Sequence, residues 1–458
     1  MRFQFPALLA IGSASLSFAN PQLEELSSRD SECSAEPISS RPNISVFPKA
    51  PANLPAPSPA RNRTCNVESH GDSSMDDSEY VFSALQSCND GGHVVFKKGI
   101  NYTIGTALDL TFLNHIDIEV QSQIQFTNNT DYWQANSFRF VFQNVTSFFK
   151  LGGNDVNIYG GGLFDGNGQV WYDLYAKDIY TLRPVLFGLD GLHDSTISNL
   201  FLRYSPQYYF FIANSTGVVI DNIDIAGKST SEHEAKNTDG YDTYRSSGIV
   251  IQNSRVINGD VFRADCVSFK PNSTDIIVQN MYCVGSHGMS CGSLGQYKGA
   301  FDIVEDIYVY NVSMYNASNA ARIKVWPNVA SAQSGDLQGG GGDGRVRNLT
   351  FDTMIMGEVD YAIQVNQCYG QKNLTLCLEF PSPLTIKDIV FKNFQGTTSK
   401  KYQPEIAAVA CSSKEACANI SATSINVKSP NGTRDAYCLN VNETSLDLGC
   451  GGPWKGFN

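Results

Sequence analysis

The chain has 458 residues, of which 42% are hydrophobic, and its formal net charge at pH 7 is −12. This hydrophobic fraction is typical of globular proteins, and the length allows one large elongated domain or two to three ordinary ones. The negative charge argues against a nucleic-acid partner, and no apolar run is long enough to span a bilayer. A polyanionic substrate would need a local cluster of cations to overcome the repulsion.

The N-terminal segment is typical of secreted proteins. Residues 1–19 contain a basic residue, a short apolar stretch and small residues near Ala19, which predicts a cleaved signal peptide. Residues 20–63 are rich in proline and serine, and seven of the eighteen prolines lie between Pro37 and Pro59. Because proline fixes φ and removes a backbone donor, this segment predicts an extended arm. The main domain is expected over residues 64–458.

Two further counts favour an extracellular location. Twelve cysteines, an even number, favour disulfides in an oxidising compartment. Fourteen Asn-X-Ser/Thr sequons favour N-glycosylation. The sequons of the main domain begin at Asn101, Asn128, Asn144, Asn214, Asn272, Asn311, Asn316, Asn348, Asn373, Asn419, Asn431 and Asn442.

After one short amphipathic helix, expected at residues 78–85, the chain is a series of short β-branched runs that contain asparagine. The asparagines recur every 23 to 31 residues, at Asn199, Asn222, Asn253, Asn280 and Asn311. This interval is too short for a βαβ unit and suits one coil of an all-β solenoid, the parallel β-helix. Asparagines stacked at one corner could bond their neighbours' backbone. The alternative is an ordinary β-sandwich, which would show tighter spacing and clearer hairpin turns.

Polar residues that can do acid–base chemistry follow several of these runs. Singly, each aspartate is typical of a turn, a histidine between glycines is typical of a loop, and two cations on one strand face are typical of a solvated edge. If each run forms one coil, however, these groups stack side by side. Two carboxylates around a sugar, with cations for an anionic substrate, are what hydrolysis of an acidic polysaccharide needs. The set consists of Asp239, Asp260, Asp265, His287, Arg322 and Lys324.

These residues stand in motifs that resemble a known family. The order Asn-Thr-Asp (237–239), Asp-Cys (265–266), Gly-Ser-His-Gly (285–288) and Arg-Ile-Lys (322–324) is similar to the signature of the polygalacturonases, pectin-cleaving glycoside hydrolases. The resemblance extends from about Thr64 to the C-terminal region. On stretches such as 131–135, 164–173 and 292–297, the chain resembles the fungal exopolygalacturonases. The resemblance implies a right-handed parallel β-helix with a short N-terminal helix, inversion of anomeric configuration, and neither cofactor nor metal.

The resemblance also implies roles for individual residues. Asp239 and Asp265 would activate the attacking water, and His287 would tune and orient the general acid. Arg322 and Lys324 would hold the carboxylate of the substrate. Tyr369 resembles a tyrosine that contacts sugar.

The general acid is where this chain departs from the family. The family has two adjacent aspartates, whereas here Asp260 and Asp265 are separated by the four residues 261–264. One alignment assigns the acid to Asp260 and treats residues 261–264 as an insertion. The other places Ala264 in the acid's position and leaves no acid at all.

The cysteines suggest several pairs. The resemblance implies a disulfide between Cys266 and Cys283, which would brace the turn of the acid. No Cys/His spacing indicates zinc. Plausible local pairs are Cys65 with Cys88 and Cys368 with Cys377, and Cys291 is expected to be free.

The resemblance implies a secreted, monomeric exopolygalacturonase that releases galacturonic acid from the ends of pectic homogalacturonan, with no nucleic-acid or membrane partner. Within the family, the alternatives are endo action or action on xylogalacturonan or rhamnogalacturonan. A pectin or pectate lyase would share the fold but needs calcium or an arginine base. A catalytically impaired pectin-binding protein would follow if the insertion disables the acid.

Overall fold

The computed structural model describes residues 41–52, 54–258, 264–330 and 339–455. The predicted signal peptide, the first part of the proline-rich arm and Asp260 lie outside the described residues. Within them, most strands pair in parallel with the strands one coil before and one coil after. Each coil contributes to up to three parallel sheets, here numbered 1 to 3. The chain is a parallel β-helix, as the asparagine interval predicted, and the sandwich alternative is wrong.

The strands fall into four groups. Sheet 1 has four strands of its own: β1 Arg63–Asn66, β2 Gly92–Phe96, β5 Asn114–Val120 and β16 Ser246–Gln252. Sheet 2 also has four: β3 Tyr102–Ile104, β6 Gln123–Phe126, β10 Leu163–Asp165 and β17 Arg255–Asn258. Sheet 3 contains β4 Leu108–Leu110, β13 Phe210–Ala213, β15 Tyr241–Tyr244, β18 Val267–Phe269, β20 Met289–Leu294, β22 Asn319–Val325, β24 Tyr361–Asn366, β26 Glu405–Ala410, β28 Asp435–Leu439 and β29 Gly449–Cys450. Longer strands bend through two or three sheets: β9 Phe149–Tyr159, β12 Phe187–Arg203, β14 Thr216–Gly227, β19 Ser273–Val284, β21 Phe301–Tyr315, β23 Asp343–Val359, β25 Thr385–Thr398 and β27 Cys417–Lys428.

The remaining elements are short. A small separate sheet contains β7 Phe138–Arg139, β8 Thr146–Ser147 and β11 Pro184–Val185. The helices are α1 Ser78–Cys88, α2 Thr130–Asn136, α3 Gln169–Lys177 and α4 Leu374–Glu379, with one 3-10 turn at Glu443–Ser445. The helix predicted at residues 78–85 is confirmed as α1, whose Val81 and Leu85 are buried in the core. None of the helices in the described part of the chain could cross a membrane.

The recurring asparagines form one corner of the coil. Each has a positive φ, between 52° and 55° for the five predicted positions, a backbone region that asparagine tolerates better than β-branched residues. Their side chains bond polar side chains of the preceding coil rather than the neighbouring backbone, contrary to the prediction: Asn253 donates to Asp221, and Asn222 donates to Asn199. Asn280 Nδ2 donates to Asn253 Oδ1 at 3.0 Å, and Asn311 Nδ2 donates to Asn280 Oδ1 at 2.8 Å. The interval in the sequence is therefore the period of a hydrogen-bonded ladder.

Inside the coil, equivalent residues stack in continuous apolar rows. One row beneath sheet 3 runs from Phe149 through Phe187 and Phe210 to Tyr241, with ring centroids 5.3, 5.0 and 5.0 Å apart in turn. Core residues alternate with outward-facing residues along each strand. Because this row is buried, the polar residues next to it in the sequence face outward. That alternation places the site residues of sheet 3 on its outer face.

The described part of the arm lies on the outside of sheet 1. Arg41 Nη2 is 2.8 Å from Asp117 Oδ1, and Arg61 Nε is 2.9 Å from the same oxygen. Further along, Gln252 Nε2 donates to the Ser45 carbonyl at 2.9 Å. These contacts hold the arm against sheet 1, whereas the predicted site residues lie on sheet 3.

Among the described residues, five disulfides close local loops of the coil. Cys266 is bonded to Cys283, and Cys291 is a free, buried thiol. The others are Cys65–Cys88, Cys368–Cys377, Cys411–Cys417 and Cys438–Cys450. Each joins cysteines at most 23 residues apart, so the disulfides tie a coil to itself or to its neighbour.

Candidate active site

The turns that lead into sheet 3 carry the predicted site residues on successive coils. Asp239, Asp265 and His287 each lie two residues before a strand, namely β15, β18 and β20. Backbone hydrogen bonds hold these turns in register. Gly240 N–H donates to the Asp265 carbonyl at 3.0 Å, and His287 N–H donates to the Ala264 carbonyl at 2.7 Å. The stacking of these three groups that the sequence predicted is what the structure has.

The outer face of sheet 3 adds a second polar row beside these turns. In register on successive strands it contains Asp242, Ser268, Ser290, Arg322 and Gln364. Arg322 and Lys324 lie on the same face of β22, as their i and i+2 spacing predicted, but both are buried rather than solvated. Sequence reasoning missed Asp242. The alternation of a strand carries the signal, because Tyr241 enters the core and the next residue must face outward.

Asp265 is surrounded by cations. Lys324 Nζ lies 3.0 Å from its Oδ2, and His287 Nδ1 lies 3.8 Å from its Oδ1. Burial alone would raise the pKa of this carboxyl, but the charges of Lys324 and His287 outweigh burial and lower it. Asp265 is therefore ionised across the ordinary pH range and is suited to accept a proton from water.

Asp239 has the opposite environment. It is buried near the carboxyl group of Asp242, which is buried as well. Burial first, and then the charges of Asp242 and Asp265, raise the pKa of Asp239 well above its usual value. Burial likewise raises the pKa of Asp242 to about 6. Lys270, a second residue that sequence reasoning missed, lies 3.5 Å from Asp242 Oδ1 and 3.9 Å from Asp239 Oδ2.

The position of the general acid depends on the insertion. Asp260 lies outside the described residues, so its place relative to Asp265 is unassigned. Ala264, the residue directly before Asp265, is buried and accepts the His287 N–H. Beyond it, Cys266 N–H donates to the Gly288 carbonyl at 3.0 Å. The coil therefore resumes its register at Ala264, a residue with no carboxyl group.

A cleft of about 360 Å³ extends from His287 toward the C-terminal coils. The Arg322 guanidinium lies 5.7 Å from the centre of the Tyr369 ring, which packs edge-on against Trp326 at 5.2 Å. Tyr369 is thus placed beside the predicted carboxylate-binding pair. Aromatic rings next to cations are suited to bind a sugar that carries a negative charge. The lining residues are His287, Ser318, Asn319, Arg322, Asp360, Tyr361, Gln364, Tyr369, Lys401 and Tyr402.

The opposite, N-terminal side of the same face is covered. Phe211 is the register partner of Asp242 on the preceding strand, and it is fully buried. Phe140, 5.0 Å away, and Phe142, 6.0 Å away, pack over it. We call this cluster the wall: Phe140, Phe142, Val145, Val185, Tyr208, Phe211, Ala213 and Tyr244. The outer face of sheet 3 is thus closed directly beside Asp242 and carries a cleft on the other side.

Two other predictions concern surface chemistry. Of the twelve predicted glycosylation sites in the main domain, all but the half-buried Asn272 are exposed, and their glycosylation stays a prediction. Within the described ranges, no group of three or more His, Cys, Asp or Glu residues could hold a metal ion.

Comparisons with known proteins agree with this arrangement. The chain is 61% identical over 408 residues to "Exopolygalacturonase X-1" of Emericella nidulans, covering 89% of this chain and 93% of that protein. It is 61% identical over 409 residues to "Exopolygalacturonase" of Cochliobolus carbonum, covering 89% and 90%. The crystal structure of endo-xylogalacturonan hydrolase from Aspergillus tubingensis superposes with a TM-score of 0.76 at 34% identity, covering 85% of this chain and 99% of that one. Residues 93–448 match the model of the glycosyl hydrolases family 28, to which this chain belongs.

Proposed function

We propose that this protein is a secreted exo-acting polygalacturonase. It hydrolyses terminal α-1,4-galacturonosyl linkages of pectic homogalacturonan with inversion and releases galacturonic acid. The names of the two fungal relatives support the activity. The wall is the observation that carries exo action, because it closes one end of the substrate-binding face beside the carboxyl groups.

The wall limits how much sugar fits on one side of the cleaved bond. Phe211 and Tyr244 flank Asp242 on the closed side and are buried under Phe140 and Phe142. On the open side, the cleft past Arg322 has room for the polymer. Phe142 lies in the hairpin formed by β7 and β8. A hydrogen bond from Gln143 Nε2 to Gln296 Oε1, at 3.1 Å, holds this hairpin in place and supports the closure. A chain that enters from the open side stops with its terminal unit at the carboxylates.

The cations explain selection for a uronate. Arg322 supplies a planar fork that matches a carboxylate, and Lys324 supplies a point charge with three donors. Lys324 uses one of its donors on Asp265, so it is placed to bridge the base and the substrate. In a protein with a net charge of −12, these buried cations supply the attraction that a polyanionic substrate needs.

Hydrolysis with inversion divides the work between a base and an acid. Asp265, held ionised by Lys324, takes a proton from the water that attacks the anomeric carbon. The leaving glycosidic oxygen takes a proton from the acid, which the alignment with an insertion assigns to Asp260. Inverting enzymes place the two carboxyl groups about 6.5–9.5 Å apart, with room for water. Proton NMR of the first product tests inversion, since the β-anomer is expected first.

Viscometry of polygalacturonate tests exo action. Removal of terminal units barely shortens the polymer, so viscosity should fall slowly for each reducing end released. A family member that cuts internally is the control and should lower viscosity steeply. A steep fall with this protein would refute exo action, and ultraviolet absorbance from a new double bond would indicate a lyase.

A second candidate is endo action on xylogalacturonan, favoured by the 34% identity to the Aspergillus tubingensis enzyme. The wall argues against it, because an internal cut needs sugar units on both sides of the carboxylates. A comparison of rates on xylogalacturonan and homogalacturonan decides between the two. Binding of pectin without release of any reducing sugar would instead indicate an impaired homologue.

A further inference from the structure

A second cation lies beside an aromatic ring at the far end of the cleft. The loop of residues 399–404, directly before β26, brings Lys401 and Tyr402 into the lining. Lys401 Nζ lies 5.1 Å from the centre of the Tyr402 ring. Nearer the carboxyl groups, the Arg322 guanidinium lies 5.7 Å from the centre of the Tyr369 ring. In the described part of its lining, the cleft therefore contains two cation–tyrosine pairs.

The two pairs lie too far apart to contact the same sugar unit. Arg322 is on β22, and β22, β24 and β26 are successive strands of sheet 3. Neighbouring strands lie about 4.8 Å apart, so β22 and β26 are separated by about 10 Å. This distance is longer than a single sugar ring. A polymer of galacturonate carries one carboxylate on every unit, so a cleft that repeats its cation matches a chain that repeats its charge.

Contacts from neighbouring coils hold the second pair in position. Lys401 Nζ lies 2.8 Å from Asp360 Oδ2. The ring of Tyr402 is stacked on that of Tyr361, with centroids 4.2 Å apart and planes inclined by 2°. From the C-terminal segment, Lys455 Nζ donates to the Tyr402 carbonyl at 3.0 Å. The pair is thus arranged before any sugar binds, which lowers the cost of ordering it on binding.

The exposures of these side chains fit contact with a ligand. Asp360 and Tyr361 are buried, whereas the Lys401 side chain is 38% exposed and Tyr402 is half-buried. The buried members therefore support the two that meet the cleft. An ammonium group has three donors, so the ion pair with Asp360 is compatible with a further contact to a carboxylate. An aromatic ring offers a large apolar area, against which the C–H face of a sugar can pack.

We propose that Lys401 and Tyr402 bind a galacturonate unit of the polymer beyond the unit next to the cleaved bond. Lys401 contacts the carboxylate of this unit, and Tyr402 packs against its ring. The inference rests on the proposed function, because the uncleaved polymer must extend from the carboxyl groups through the open cleft. It gives the enzyme a preference for longer, de-esterified chains over digalacturonate.

The dependence of kcat/KM on chain length tests the proposal. Digalacturonate has one unit on the polymer side of the cleaved bond and does not reach Lys401, whereas hexagalacturonate does. Lys401→Met should lower kcat/KM on hexagalacturonate about threefold to tenfold, as expected for a partly exposed charge-assisted hydrogen bond. The loss on digalacturonate should be smaller. Tyr402→Ala should show the same dependence on length, and Lys401→Arg, which keeps the charge, should retain most of the preference for hexagalacturonate.

Lys392 provides a matched control. Its Nζ lies 3.2 Å from Asp352 Oδ2, and its side chain is 38% exposed, as is that of Lys401. Lys392 is on β25 and is not part of the lining of the cleft. Lys392→Met removes the same charge and the same kind of ion pair. It should therefore leave the ratio of the two kcat/KM values unchanged.

Binding without turnover separates this inference from the proposed function. Calorimetry is carried out with hexagalacturonate in the Asp265→Asn background. Adding Lys401→Met should raise Kd about threefold to tenfold, and adding Lys392→Met should not change it. If the protein releases no monogalacturonate from any substrate, the proposed function fails, and the binding series still decides the role of Lys401.

The outcomes are distinct. A loss that is larger on hexagalacturonate than on digalacturonate, with a matching rise in Kd, supports the second site. Equal losses on both substrates would overturn the proposal, because Lys401 would then act on the shape of the cleft as a whole. Unchanged values on hexagalacturonate, or the same loss with Lys392→Met, would overturn it as well.

Discussion

Deleting residues 261–264 should raise the activity of this protein. In the wild-type chain, eight residues (259–266) connect β17 to β18, whereas four (285–288) connect the corresponding strands β19 and β20 one coil later. The deletion leaves Gly259, Asp260, Asp265 and Cys266, which match that four-residue turn one for one. Asp260 then stands directly before Asp265, in the register position that Ala264 occupies now.

The magnitude follows from what a general acid contributes. Proton transfer by a positioned acid is worth about 10²–10⁴-fold in rate, so kcat should rise toward that range if the insertion displaces the acid. Halving the length of the connection lowers its closure cost by about 0.6 kcal/mol. The free energy of unfolding should therefore change by less than about 1 kcal/mol, with the Cys266–Cys283 disulfide retained.

The assay is release of reducing sugar from oligogalacturonide, with chemical denaturation of each variant as the folding control. Asp260→Asn is made in both backgrounds. In the shortened chain it should remove the gain, and in the full-length chain it should have a large effect only if Asp260 already serves as the acid. A shortened chain that folds with wild-type stability but is less active would refute the reasoning, because the inserted residues would then be needed for catalysis.

Five further substitutions, one of them a control, test the rest of the site and the wall. Asp265→Asn should lower kcat by about 10²–10⁴-fold. Asp239→Asn should lower it less, because burial and the neighbouring carboxyl groups raise the pKa of Asp239 and so disfavour its ionised form; the reverse order in kinetic assays would reassign the base. Lys324→Ala loses a charge-assisted hydrogen bond worth about 1.5–3 kcal/mol, so kcat/KM should fall about tenfold or more. The preference for de-esterified over esterified chain ends should also weaken. An unchanged preference would mean that Arg322 and Lys324 have a structural role and do not bind the substrate carboxylate. Phe142→Ala opens the wall and should yield oligomers among the early products. Substitution of its exposed neighbour, Val141→Ala, is the control and should not. If both variants release only the monomer, the wall does not determine exo action.

The fold could be predicted from the sequence because the feature that repeats in every coil depends on a single residue. Every coil needs a residue that tolerates positive φ at the same corner, so Asn253, Asn280 and Asn311 recur visibly in the sequence. The register of the turns before sheet 3 then stacks Asp239, Asp265 and His287 without further information. The predicted hydrogen bonds from these asparagines to the neighbouring backbone were wrong, because their side-chain amides bond other side chains.

Other features were not accessible because they depend on contacts between distant segments. Asp242 and Lys270 each look like an ordinary polar strand residue, and only their separation of 3.5 Å makes them a unit. Which carboxyl is ionised likewise depends on distances to lysines on other coils. The wall joins Phe142 to Phe211, residues on different coils, and nothing in either segment alone indicates the other.

Product sizing tests the central claim most directly. A hexagalacturonide labelled at one end is incubated with the protein, and the products are separated by length at early times. The proposed function predicts unlabelled or labelled monogalacturonate together with a pentamer, followed by stepwise shortening. Early dimers, trimers and tetramers in comparable amounts would contradict exo action and the role of the wall.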